Sequence, residues 1–171
     1  MALGSLDHAP LQAIYRYWLK QRGDCLMPAR RNIQPQDIVA LLPHIFLVDV
    51  MPAGRYRFRL VGTHIVEHVG DVTGQYLDEA ASDAFYQRAK QNFDTVALQP
   101  AIHFLVSELH WRERHWTIYR RLLMPLSDDG LAVNMLMAAA FYEPRTSGDA
   151  QVRRMDETVS VRDLENRATS L

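Results

Sequence analysis

Between residues 8 and 22 the apolar side chains recur at helical spacing. Leu11, Ile14, Tyr15, Trp18 and Leu19 fall at i, i+3, i+4, i+7 and i+8, which makes one face of an amphipathic helix. Asp7 stands where a cap belongs, Pro10 is acceptable in a first turn, and Gly23 marks the end. Met27-Pro28-Ala29-Arg30-Arg31 reads as extended chain. Pro35 to Leu42 predicts a second short helix, with Pro43 just beyond it.

The period then changes from helical to alternating. Ile45 to Met51 is a β-rich run, Pro52-Ala53-Gly54 a turn, and Arg55 to Val61 a strand. In that strand Tyr56, Phe58 and Leu60 point one way, and Arg55, Arg57 and Arg59 the other. The two runs predict a hairpin. Thr63 to Val69 is a helical turn or two between glycines. Asp78 to about residue 96 reads as one helix, with Phe85, Ala89 and Phe93 on one face. Three long strand candidates follow: Ala101 to His110, His115 to Met124, and Leu131 to Phe141. Arg112 to Arg114 and Ser127 to Gly130 supply the turns of a meander. The last of these strands is apolar on both faces and reads as central.

Strand hairpin, helical crossover and strand meander make an α+β fold. We expect a five-stranded antiparallel sheet with the crossover on one face and an N-terminal flanking helix. The divisions are a helical flank over 1–43, a core over 44–143 and a polar tail over 144–171. In the tail, Ser160 to Asp163 resembles a capping box for a short helix.

Several stretches in this order resemble a known family. Phe58-Arg-Leu-Val-Gly-Thr63 and Gly70-Asp-Val-Thr-Gly74 are preceded by Leu26-Met-Pro-Ala-Arg30 and followed by Leu123-Met-Pro-Leu-Ser127. Together with the element order they resemble a bacterial family of small stand-alone PAS-like proteins, the PAS_5 type, over residues 10–142. The resemblance implies a sensory or interaction module. It implies no agreed catalytic residues, no agreed ligand and no obligate cofactor.

Composition narrows the classes further. The 171 residues are 48% hydrophobic and 23% charged, with a formal net charge of −1. Nothing in that balance draws the chain to nucleic acid or to an anionic membrane. The 17 Arg against 2 Lys read as genome composition rather than a phosphate-binding surface. One cysteine, Cys25, allows no internal disulfide. Its reading is an inert side chain. The start has neither a basic nor an apolar leader region, and the most apolar stretch is 12 residues, so a cytoplasmic protein is expected.

Candidate chemistry is sparse. His64, Glu67 and His68 spell H-x-x-E-H, the inverted zinc-peptidase signature, in which two histidines one helical turn apart share a metal. The helix carrying it is short and no third ligand stands out, so a zinc hydrolase is the lesser alternative. Haem or metal at His103, His110 or His115 is a further minor reading; haem needs an axial ligand aimed into a pocket, and sequence does not show that aim. His110-Trp111 and His115-Trp116 read as a cluster shielding one strand end. Arg55, Arg57 and Arg59 read as an outer face neutralised by carboxylates. Nucleophile elbows, phosphate-cradling glycine loops and CxxC pairs are absent from the sequence, which argues against an enzyme.

The positive expectation is a pocket between sheet and crossover. Its expected lining is Phe46, Val48, Phe58, Leu60, Tyr76, Phe85, Tyr86, Val133, Met135 and Met137. Met and Tyr make an adaptable lining for a small ligand of unknown identity. Ligand or partner binding would shift the packing and pass the change to another protein in trans. A ligand-free homodimerisation or scaffold module is the first alternative. The face of Leu11, Ile14, Tyr15, Trp18 and Leu19 either pairs with a second copy or folds back on the chain's own sheet. Homodimerisation is the expectation of the two.

Overall fold

A computed structural model describes residues 6–111, 115–145 and 154–168, apart from the side chains at 84, 109–111, 115–116 and 165–168. The centre is one antiparallel sheet of six strands in the order β2-β1-β5-β4-β3-β6. β1 (Ile45–Met51) and β2 (Arg55–Val61) form the hairpin. β3 (Ala101–Trp111), β4 (His115–Leu126) and β5 (Met135–Pro144) form the meander, and β5 lies between β4 and β1.

The expected five strands become six because the C-terminal stretch adds one. β6 (Met155–Ser160) pairs with β3 from Val106 to Ala101. An unpaired strand edge leaves a row of backbone donors and acceptors open, and β6 satisfies them. Its polar composition suits an edge strand with alternate residues exposed. The short helix α5 (Val161–Ala168) follows at once, anchored where the Val161 amide donates to the Pro100 carbonyl.

β5 starts four residues later than its apolar run. The Asp129 carboxylate accepts from the backbone amides of Leu131 and Ala132 and from the Ser127 hydroxyl. Those bonds hold residues 127–132 in a loop that competes with the strand ladder.

The first helix, α1 (Ala9–Arg22), is where the periodicity puts it, and Gly23 ends it at φ 54°. The cap is His8 rather than Asp7, since the helix begins at Ala9; His8 Nδ1 accepts from the Leu11 amide. The helix expected from Pro35 to Leu42 is instead two 3-10 turns, Pro35–Asp37 and Val39–His44. Pro43 lies inside the second turn, where the tighter winding tolerates its missing donor.

α1 folds back on its own chain. Leu11, Ile14 and Trp18 are wholly buried and Tyr15 nearly so, with Leu19 partly buried against them. The Trp18 indole N–H donates to the Pro125 carbonyl of β4 at 3.0 Å. The apolar face that motivated a helix-to-helix homodimer is thus spent on one face of the sheet. Met124, Leu126, Met135 and Met137 are buried on that face.

The other face is covered by the crossover: α2 (Thr63–Val69), α3 (Leu77–Ala80) and α4 (Asp83–Leu98). The single helix expected from Asp78 is two, because Ala81 and Ser82 are extended. At the start of α2, a Cβ on Gly62 would lie 2.4 Å from the Pro43 carbonyl oxygen. Only glycine lets the two covers meet there.

Register is broken once. Leu47 pairs with Leu60, but Val48 pairs with Phe58, so Arg59 is an extra residue in β2. The bulge reverses the alternation after Phe58. Tyr56 and Phe58 face the crossover, as does Val61 opposite Phe46, whereas Leu60 is turned to the opposite face and is 42% exposed. The arginines are internally paired. Arg57 and Arg59 both donate to the buried Asp49, and Arg55 donates to Asp78 and Glu79.

Candidate functional site

The crossover does not seal its face of the sheet. A cavity of about 90 Å³ lies between them. Phe46, Phe58 and Val61 of the hairpin form its floor on one side, and Ile65, Leu77, Phe85 and Phe93 of the three helices form its roof. Tyr119 and Arg121 of β4 and Tyr142 of β5 close the other side. The breaks between the crossover helices leave the gap, and Phe85, 60% exposed, stands at its mouth.

Three of the ten expected lining residues are there: Phe46, Phe58 and Phe85. Val48 is buried in the sheet outside the cavity, and Tyr86 packs against the core from α4. Leu60 is diverted by the bulge. Tyr76 lies along the edge of β2, with the Arg55 guanidinium 3.8 Å above its ring. Val133 precedes β5 and borders a separate groove with Val50 and Leu98. Met135 and Met137 do share a face, but it is the face under α1. On β5 the residues that face the crossover are Leu136, Ala138, Ala140 and Tyr142.

The polar corner of the cavity was not anticipated. Arg121 is 5% exposed, yet it belongs to the apolar middle of β4. A signal for it does exist. Arg120 and Arg121 are adjacent in a strand buried on both faces, and neighbours in a strand point to opposite faces, so one of them must enter the core. Arg120 pairs with Glu143 on the α1 side. Arg121 turns to the cavity.

Around Arg121 the partners are few. Its Nη2 lies 3.4 Å from His103 Nδ1, and its Nε makes no hydrogen bond. His103 Nε2 meets the Asp156 carboxylate at 2.9 Å. Burial lowers the pKa of His103, and the neighbouring Arg121 charge lowers it further. The imidazole is therefore neutral, with Nε2–H donated to Asp156 and the Nδ1 lone pair turned to Arg121. Tyr119 interacts with both Arg121 and Tyr142. Burial raises the pKa of both phenols, so both remain neutral donors.

The H-x-x-E-H stretch lies on α2 in a different setting. His44, His64 and His68 follow one another with their rings tilted, centroids 4.4 and 4.8 Å apart. The row wraps the part of β5 that extends past β1. His44 stacks on Phe141 from the α1 side, and His68 on Tyr142 from the crossover side. His68 Nδ1 is bonded to the His64 carbonyl at 2.8 Å. Among the described residues, no three His, Cys, Asp or Glu side chains stand together as metal ligands would. The histidines act here as flat aromatic packing. Cys25 is exposed, and the His110-Trp111 and His115-Trp116 pairs lie outside the described side chains.

A small antiparallel sheet with a helical crossover over a cavity is the architecture of a PAS-like sensory or interaction module. The chain belongs to the PAS domain family: the model for PAS domains of the PAS_5 type matches residues 6–138. The match begins before α1, so the helix buried on the sheet lies within the family's extent. Neither the curated proteins nor the solved structures compared with the chain include a match. Among the described residues no helix is long and apolar enough to cross a membrane.

Proposed function

We propose that this PAS domain is a ligand-responsive signalling module. A small molecule enters between crossover and sheet, shifts the packing of α2 to α4, and the change is read by a second protein. The cavity carries this reading. The segmented crossover leaves this space over the sheet, with the largely exposed Phe85 at its mouth. The polar groups lining it are an arginine and two phenols. None is a general base at neutral pH, which supports binding over catalysis.

The test is hydrogen exchange on the full chain, before and after any co-purifying molecule is stripped by denaturing extraction and identified by mass spectrometry. The expected result is a defined molecule whose return slows exchange in α2–α4 and leaves α1 unchanged. Clean protein whose crossover exchange no small molecule alters would leave the scaffold reading in its place.

A further inference from the structure

We propose that the ligand of this cavity is a small carboxylate with an apolar body, held by Arg121 with Tyr119 and Tyr142. The proposal rests on the cavity being a ligand site and adds its chemical class.

The argument begins with the cost of the arginine. A guanidinium stays charged at any physiological pH, and taking one out of water is expensive unless an anion compensates it. Arg121 is 5% exposed and lines the cavity. Among the described residues no carboxylate pairs with it. Its polar neighbours are a neutral imidazole and the neutral Tyr119 phenol, which accept hydrogen bonds and supply no charge. Asp156 is on the far side of that imidazole and half exposed to solvent. Nε is left without a partner. The other arginines whose pairs are described, Arg55, Arg57, Arg59, Arg120 and Arg145, all meet carboxylates. Arg121 thus combines burial, a donor without a partner and a place in the cavity lining.

The rest of the lining sets the guest's shape. The two neutral phenols beside the guanidinium are bonded to one another, which leaves one O–H of the pair to donate to an anion. Opposite them the walls are Phe46, Phe58, Ile65 and Phe93, which offer no hydrogen bond. One charged end and one apolar end fit a monocarboxylate. The volume sets its size: about 90 Å³ is less than the ~150 Å³ that accommodates benzene, so the acid has no more heavy atoms than benzene, roughly three or four carbons with the carboxylate.

The experiment compares isosteres on the full chain. Butanoate, butanamide and butylamine have nearly the same body and differ in charge. Calorimetric titration of wild type should show butanoate binding at least about ten-fold tighter than butanamide, with no binding of butylamine. Arg121→Met should abolish that preference and should raise or leave unchanged the melting temperature of the ligand-free chain, since it removes a buried charge of similar length. A purely structural arginine would instead lower it. Butanamide binding as tightly as butanoate to wild type overturns the carboxylate class while leaving the cavity a ligand site. If none of the three binds and an enlarged neutral series also fails, the ligand site itself falls. Should Arg121→Met not fold, the arginine has a structural role and the preference of wild type for butanoate still decides the class.

Discussion

The two faces of the sheet are covered by chain of similar composition in different ways. On one face a single 14-residue helix and the turns after it lay down an unbroken apolar stripe, with Leu11, Ile14 and Trp18 wholly buried. On the other, three helices of 7, 4 and 16 residues are separated by breaks at Gly70, Gly74 and Ser82. There Ile65, Leu77, Ala89, Phe93 and Val96 are buried, but Phe85 is largely exposed. A continuous stripe closes down on the sheet like a core. A segmented one touches it at points and leaves room between them. The same fold thus closes one face tightly and leaves space on the other.

If that division holds, equal truncations should cost unequal amounts. Trp18→Ala removes a fully buried ring and its bond to the Pro125 carbonyl, and should cost about 3–5 kcal/mol. Phe85→Ala, at the mouth of the cavity, should stay within about 0.5 kcal/mol. Urea unfolding of both variants measures the pair. Similar losses from the two would show that the crossover is as closed as the α1 side.

The seam between the two covers should respond to acid. His8 and His44 bracket Phe141, and burial lowers the pKa of each below the ordinary 6.5. For His8 the opposing influence is Glu143; for His44, the His64 charge adds to the lowering while a bond to the Ala140 carbonyl opposes it. His103 on the cavity side is lowered as well. Each imidazole binds its proton more weakly folded than unfolded. Between the two pKa values the unfolded chain holds more protons, so stability rises with pH there. It should be level above about pH 7 and decline as pH falls through 6.5 and below. The midpoint of urea unfolding followed from pH 8 to pH 5 reads this directly. His44→Leu, which also removes a buried Nδ1 without a partner, should flatten part of the decline. A curve unchanged by that substitution would locate the acid response elsewhere.

Much of the fold was readable because period reports which residues share a face. The helical repeat of Leu11 to Leu19 and the alternation of Tyr56 and Phe58 translate directly into α1 and β2. Period does not say which of two covers a face will meet. Val133, Met135 and Met137 alternate as one strand face would, yet Val133 precedes β5, and a strand buried on both sides gives no sign of which side is the cavity. β6 was missed because half its residues face solvent, so its composition matched a tail. Arg121 is the instructive case. The pair Arg120-Arg121 in an apolar strand announces one buried charge, yet only the β4–β5 register shows that it faces the crossover.

The smallest expected effect tests the bulge that displaced Leu60. Strict alternation puts Leu60 beside Phe58 in the cavity floor, where a lysine would bury a charge without a partner. The observed register inserts Arg59 between the Leu47–Leu60 and Val48–Phe58 pairs, and every side chain beyond it changes face. Val61, not Leu60, then completes the floor with Phe46 and Phe58. Leu60→Lys should accordingly shift stability by no more than about 0.5 kcal/mol and leave butanoate affinity unaltered, because the site is exposed and remote from the guest. Val61→Lys, one residue further on, should cost about 1–3 kcal/mol and block the cavity. The reverse pattern in thermal melts of the two variants would restore the unbroken alternation and move Leu60 back under the crossover.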